Sequence, residues 1–496
     1  MASPAVKDLG VEACVASVRD MPKGSAAPPA RQRVALISDF FFPSIGGVEN
    51  HINSLAQCLT EQGHSVIVIT HQHGAREAGT RSLAGGFKVY HLPFAPRCAN
   101  CVLPTGVRLL PYLHDVLAKE RITVVHTHAV CTMAFEAMML ASLLGYNVVH
   151  TEHSNYGLQR LLDVPLNKLQ QLVLAHSDAI ISVSSSNRDN IAARCRIDPA
   201  DITVIPNAVD ASRFRPARGN VYPKETVNVV WLQRMVWRKG THLLVQIVPE
   251  ICRRFPYVHF IIGGDGPKRR ALEEMRARYG LHDRVELLGA VEHCDVPAVL
   301  TRGHIFLTTS LTEAFCISLI EAIACGLTVL STRVGGVAEE LPSNMVHLAE
   351  PDADSLLDSL SQLVPAVRQS PGAVAHELHA AITRMYSWSE VASRAAKVYE
   401  RLADRPRPSL SHRMIKLCRA APVTALVAFV AFLVQGACLL VLRLYWKIAE
   451  AIPASGGKAM KRATREAREA EQNGGGPCLE VPAPAADEAV QHAKAA

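Results

Sequence analysis

One repeated pattern leaves this chain little choice of fold. Short apolar runs without alternation are each followed by a polar or glycine-bearing turn and then a stretch of helical period. The runs are Val34–Ser38, Val66–Thr70, Val124–His128, Val148–His153, Ala179–Ser184 and Thr203–Pro206. A second series follows: Val227–Leu232, Val258–Gly263, Val285–Leu288, Ile305–Thr308, Thr328–Ser331 and Met345–Leu348. A strand that shows no polar face is buried on both sides, which means a parallel sheet between layers of helices. In the first intervening stretch Val48, Ile52, Leu55 and Leu59 fall on one helical face.

The two series predict two doubly wound units facing a shared cleft: an α/β protein with two Rossmann-like domains. The expected divisions are an acceptor-side domain over 33–210, a linker over 211–225 containing Pro216, Gly219 and Pro223, and a donor-nucleotide domain over 226–385. A helix over 386–410 is expected to pack back on the first domain. Residues 1–32 and 453–496 read as disordered tails. The first of these lacks the apolar core of a secretory signal, which puts the main body on the cytosolic side.

Ala420–Leu442 carries no charged side chain over 23 residues and is bounded by Arg419 and Arg443. At 1.5 Å per residue it spans roughly 30 Å, the thickness of a hydrocarbon core, and it is expected to be a single transmembrane helix. Basic residues flank both ends, so charge alone leaves its orientation open. The balance of 52 Lys+Arg against 45 Asp+Glu suits an anionic ligand or lipid surface and is too small to argue for nucleic acid. The 13 cysteines lie mostly in apolar contexts and read as core residues of a reducing compartment. Cys98 and Cys101 form one Cys-x-x-Cys, with no second pair to complete a zinc site.

Ligands of doubly wound sheets sit beyond the carboxyl ends of the strands, so residues just after the apolar runs are the functional candidates. Gly46 and Gly47 follow the first strand and open a helix, as a tight turn or as a close approach to an anion. Arg234 and Lys239, in Gln233–Gly240, follow the first strand of the second series. Fixed cations there would stabilise the charge that grows on a nucleoside diphosphate as a glycosidic bond breaks. Arg238 is expected to face solvent. Gly264, in the turn Gly263–Pro267, either passes near a ligand or only shapes a loop.

Glu313 and Glu321 are separated by seven residues after the strand Ile305–Thr308. Eight helical steps put them roughly 12 Å apart, too far for the paired carboxyls of a glycosidase and about the reach from a donor sugar to its ribose. Glu313 is therefore assigned to the sugar and Glu321 to the ribose hydroxyls. His126 and His128 share one face of a strand end, and His153 ends the next strand. Any one of them could bond a sugar hydroxyl or a lipid phosphate, or be a satisfied core histidine. Asp352 and Asp354 precede an amphipathic run and read as a helix cap rather than a metal site. Phe40–Phe42 could face lipid or acceptor.

These residues together resemble the retaining GT-B glycosyltransferases of family four over about Arg33 to Leu402. Within that family the nearer likeness is to the branch that acts on phosphatidylinositol. It is carried by Ser38–Pro43, Gly46–Glu49, Val204–Asp210, Arg238–Gly240, Ile262–Lys268, Leu281–Val285, Thr309–Cys316 and Ser331–Gly336. The resemblance implies a GT-B fold with one late membrane helix. It also implies transfer of N-acetylglucosamine from UDP-GlcNAc to phosphatidylinositol, the first step of GPI-anchor synthesis.

Several further expectations follow from it: retention of configuration, no metal and no cofactor, and other subunits of a GPI-GlcNAc transferase complex on the cytosolic face of the endoplasmic reticulum membrane. Glu313, Lys239, Arg234 and His128 would be catalytic. Gly46, Gly47, Glu321, Gly264 and His153 would bind substrate. Gln233 departs from the small hydroxyl residue usual at that place, and Ala95–Cys101 has no counterpart in the pattern. The competing readings are another sugar or lipid substrate, a sugar-nucleotide epimerase and a non-catalytic scaffold subunit.

Overall fold

The computed structural model describes residues 31–404 apart from 45, 74–77, 84, 99, 106–107, 158–162, 218–224, 371 and 373–374. The uncharged run over 420–442 and both tails lie outside the described residues. Among those described, no helix is long and apolar enough to cross a membrane.

The first sheet contains β1 (Arg33–Ile37), β2 (Ser65–His71), β3 (Gly79–Ser82) and β4 (Lys88–Leu92). A short ribbon of β5 (Pro96–Cys98) and β6 (Cys101–Val102) interrupts the series. The sheet then takes up β7 (Val124–His128), β8 (Asn147–Glu152), β9 (Ala179–Ser182) and β10 (Ile202–Val204). Its spatial order is β10-β9-β8-β7-β1-β2-β4-β3, parallel except where β3 runs against β4. The second sheet is wholly parallel. It comprises β11 (Val227–Leu232), β12 (Val258–Gly263), β13 (Val285–Gly289), β14 (Ile305–Leu307), β15 (Thr328–Thr332) and β16 (His347–Ala349). Their order is β13-β12-β11-β14-β15-β16, which is the dinucleotide-binding arrangement.

Each sheet has one place where the chain leaves to one side and returns on the other. In the first it lies between β1 and β7, in the second between β11 and β14. Loops diverge there, and a crevice opens beyond the strand ends.

The helix Gly47–Glu61 buries Ile52, Leu55, Ala56 and Leu59, the i, i+3, i+4, i+7 stripe of a surface helix. The final described helix, Trp388–Ala403, buries Val391, Ala395, Val398, Tyr399 and Leu402. It packs against Gly47–Glu61 in the first half of the chain. Gln62 Nε2 donates to Ser393 Oγ (3.1 Å), and Tyr399 OH meets His126 Nδ1 (2.7 Å). One hydrophobic core accordingly runs from Val34 and Ile52 through Leu319 and Ile323 to Tyr399, tying both sheets to this helix.

Candidate active site

The second switch point is built by backbone that only glycine allows. After β11 the chain makes a 3-10 turn at Trp237–Lys239 and enters the left-handed region at Gly240 (φ 66°) before the helix Thr241–Arg254. A side chain at Gly240 would overlap the carbonyl oxygen of Thr309, so the loops after β11 and β14 touch here. Thr309 Oγ1 donates to the Lys239 carbonyl (2.8 Å), and Leu311 N–H donates to the Arg238 carbonyl (2.8 Å). With its backbone held this way, Lys239 donates from Nζ to Glu313 Oε1, which also accepts from Ser310 Oγ (2.7 Å). The side chains of Lys239 and Glu313 are only 17% and 9% exposed. An ion pair at that depth costs desolvation roughly equal to what it returns, which makes it a poor device for stability alone.

Arg234 stands on the same loop and is exposed as a residue. Desolvation, then the charge of Arg238, lower its pKa, while Glu49 and Glu313 oppose the shift. Glu49 comes from the other sheet's side, in the first turn of Gly47–Glu61, and is buried. Desolvation raises its carboxyl pKa; its own backbone N–H and the charge of Arg234 partly offset this. Gly46 leaves room for that carboxylate, since a Cβ there would lie 2.5 Å from Glu49 Oε2. A Cβ on Gly47 would meet Ile317 Cδ1 at 3.5 Å. Gly47 thus abuts the helix Ile317–Ala324 of the second sheet. Arg234, Arg238 and Lys239 share this crevice with Glu49 and Glu313, and Arg238 is exposed.

The two glutamates of the Glu313–Glu321 segment serve different places. Only Ile317–Ala324 is helical, so Glu313 sits in a loop and eight helical steps do not separate the pair. The chain from Thr308 to Cys316 is instead held as a loop by the bonds around Glu313. Glu321 is on the helix, with Oε1 3.1 Å from His293 Nε2. It lines a cavity of about 470 Å³ together with Asn53, Asp210, Arg213, His293 and Cys294. Phe42 also reaches this cavity, whereas Phe41 is core. The Phe40–Phe42 run therefore does not face one way, because the chain bends and turns after β1.

The histidines gather at the first switch point. His126 is satisfied within the core, by Tyr399 OH and by Thr151 Oγ1 (2.7 Å). His128 Nδ1 lies 3.2 Å from His153 Nε2, and His128 Nε2 is buried with no hydrogen-bond partner among the described residues. His51, from the helix Gly47–Glu61, completes the group, its Nδ1 2.7 Å from Asn207 Oδ1. Burial lowers the pKa of all three, that of His51 to about 4, so they are neutral at pH 7.

Gly264 adopts φ 129°, and a side chain there would overlap the Gln233 carbonyl. Its visible role is to let the loop after β12 pack on the loop after β11. Asp352 caps the helix Ala353–Gln369 by accepting from Ser355 N–H (2.8 Å). Cys101 pairs in register with Cys98 across the β5–β6 ribbon.

Sequence reasoning missed His51, Asn155 and His293. Asn155 Nδ2 donates to the Glu313 carbonyl (3.0 Å) and its Oδ1 accepts from Asn187 Nδ2 (3.0 Å), so it links the two halves at the cleft. A position just after β8 was its only available signal.

Two family models match the chain: Glycosyltransferase Family 4 over residues 45–213 and Glycosyl transferases group 1 over residues 217–365. The chain is 46% identical over 392 residues to a phosphatidylinositol N-acetylglucosaminyltransferase subunit of Arabidopsis thaliana, covering 79% of this chain and 86% of the relative. It is 42% identical over 398 residues to the Homo sapiens protein of the same name, covering 79% and 81%. Among solved structures it is similar to a sucrose-phosphate synthase from Thermosynechococcus elongatus (TM-score 0.62, 21% identity, 75% of this chain and 99% of that one). It is also similar to Anabaena Alr3699/HepE, solved with UDP and glucose (TM-score 0.59, 16% identity, 76% and 100%). These likenesses fix the fold as GT-B.

Proposed function

Since the chain belongs to this family of phosphatidylinositol N-acetylglucosaminyltransferase subunits, we propose that it transfers N-acetylglucosamine from UDP-GlcNAc to an inositol hydroxyl of phosphatidylinositol, the opening step of GPI-anchor synthesis. The chain is a glycosyltransferase. The observation that carries the reading is the Lys239–Glu313 pair beside Arg234 at the β11/β14 switch point.

Arg234 and Lys239 hold the UDP diphosphate, and Glu321, in its cavity, holds the ribose. Glu313 releases the Lys239 ammonium to the phosphate and turns its carboxylate to the sugar hydroxyls. As the bond from anomeric carbon to phosphate breaks, negative charge grows on the leaving oxygen, and the two cations stabilise that charge more than the ground state. The inositol oxygen attacks from the same face. Its proton passes to the departing phosphate, which leaves as UDP, and configuration is retained. No carboxylate nucleophile is required. The neutral imidazoles of His128 and His153 hydrogen-bond the sugar or the acceptor phosphate, and Gly46 and Gly47 allow the acceptor side to close on the donor. The chemistry uses no metal and no cofactor, because fixed cations take the metal's place.

The chain works within a multi-subunit complex on the cytosolic face of the endoplasmic reticulum membrane, with the uncharged run over 420–442 as its anchor. Membranes carrying the chain with its partner subunits, given radiolabelled UDP-sugars, test the reading. Label entering a phosphatidylinositol lipid from UDP-GlcNAc alone is expected. Label from another UDP-sugar, or no label lost in Lys239→Ala, would overturn it.

A further inference from the structure

We propose that His51, His128 and His153 form a binding site for one divalent transition ion of the zinc class, and that filling it shuts off transfer by taking His128 out of use. The ligand atoms of the three side chains all lie within 4.8 Å of one another. Their ring centres are 5.3 Å apart for His51 and His128, 4.6 Å for His51 and His153, and 5.5 Å for His128 and His153. Three imidazoles bound tetrahedrally to one ion at about 2.0–2.1 Å place their ring centres roughly 5 Å apart. The 3.2 Å between His128 Nδ1 and His153 Nε2 is likewise close to a ligand–ligand edge of such a site, roughly 3.3 Å.

The protonation chemistry agrees with the geometry. Transition ions need the neutral imidazole, and burial keeps all three rings neutral. His51 bonds the side-chain amide oxygen of Asn207 through Nδ1, which leaves the Nε2 lone pair for an ion. A ligand histidine oriented through its other nitrogen by an oxygen acceptor is the usual second layer of a zinc site. A purely imidazole donor set favours zinc, copper or nickel over magnesium or calcium, which prefer oxygen. Three protein ligands also leave one position open, as zinc sites that bind an outside molecule do. No carboxylate belongs to the group, so the site is not the diphosphate-bridging kind.

The inhibitory consequence, though not the site itself, rests on the role proposed above for His128. Three measurements on the full-length chain decide the matter. Titration with Zn2+ alone is expected to give one site per chain, weakened at least tenfold in both His51→Gln and His153→Gln. X-ray absorption of the zinc-loaded wild-type chain is expected to show nitrogen ligands at about 2.0 Å; this arm needs no variant to fold. Sulfur ligation at about 2.3 Å, or unchanged affinity in both variants, would overturn the site. Zn2+ is expected to reduce transfer at least tenfold, with recovery on chelation. Full transfer by a chain shown to carry the ion would overturn the inhibition. A chain that binds zinc but never transfers sugar would count against the proposed function instead.

Discussion

Lys239 and Glu313 come from separate loops, one after β11 and one after β14, and meet as an ion pair at the point where the second sheet reverses its strand order. Neither loop is placed by the pair. Gly240 against Thr309, Leu311 N–H on the Arg238 carbonyl and Thr309 Oγ1 on the Lys239 carbonyl position both backbones. The ammonium is thus delivered by scaffold and held by a carboxylate, from which the proposed function passes it to the donor phosphate. Lys239→Ala is expected to lower turnover by about 10²–10³, the usual cost of losing one preorganised electrostatic contact, and to lower the thermal midpoint as well, because the Glu313 carboxylate stays buried without its counter-charge. Steady-state transfer assays and calorimetry check both halves.

Gly240→Ala is expected to damage both fold and activity. A left-handed non-glycine residue costs about 1–3 kcal/mol, and the added methyl must also displace the Thr309 carbonyl. A midpoint several degrees lower is expected, with transfer lost alongside it because the Lys239 backbone shifts. Differential scanning calorimetry reads the first effect and the transfer assay the second.

Glu321→Gln is expected to act mainly on donor affinity. A hydrogen bond from a ribose hydroxyl to a carboxylate is worth about 1.5–3 kcal/mol. The KM for UDP-GlcNAc should rise tenfold or more, with kcat changed far less. A KM unchanged within twofold would remove Glu321 from the ribose site.

His304 gives the second half a dependence on acid. Asn228 N–H donates to its Nδ1 (3.0 Å), and burial lowers its pKa from 6.5 to about 4. The unfolded chain therefore binds this proton at higher pH than the folded chain does. Stability from this group is intact above about pH 6.5 and falls as pH drops towards 4, by up to about 3 kcal/mol. Urea midpoints at pH 7.5 and pH 5 should differ accordingly, and His304→Gln should flatten the difference.

The strands of both sheets are legible in the sequence because a run buried on two faces shows no polar alternation, as in Val34–Ile37 and Val227–Leu232. The exposed edge strand β3 is not, since Gly79–Ser82 is short, polar and solvated on every residue, and the buried β4 hides its strand character behind Lys88, Tyr90 and His91. Arg234, Lys239, Glu313 and Glu321 can be picked out because ligands gather beyond strand ends. His51 and Asn155 cannot, because their significance comes from contacts remote in sequence. His51 meets Asn207 from 156 positions away and Asn155 meets Glu313 from 158. The same limit explains His126, whose partner Tyr399 lies 273 positions on and which is a core residue. The helical spacing expected between Glu313 and Glu321 fails because the helix begins only at Ile317.

Calorimetric titration of the chain with UDP and with uridine, in wild type and in Lys239→Ala, tests the diphosphate pocket most directly. UDP is expected to bind the wild type at least tenfold more tightly than uridine, and Lys239→Ala to erase that advantage without changing uridine. Equal affinity for the two ligands in the wild type, or a UDP affinity that survives Lys239→Ala, would contradict it.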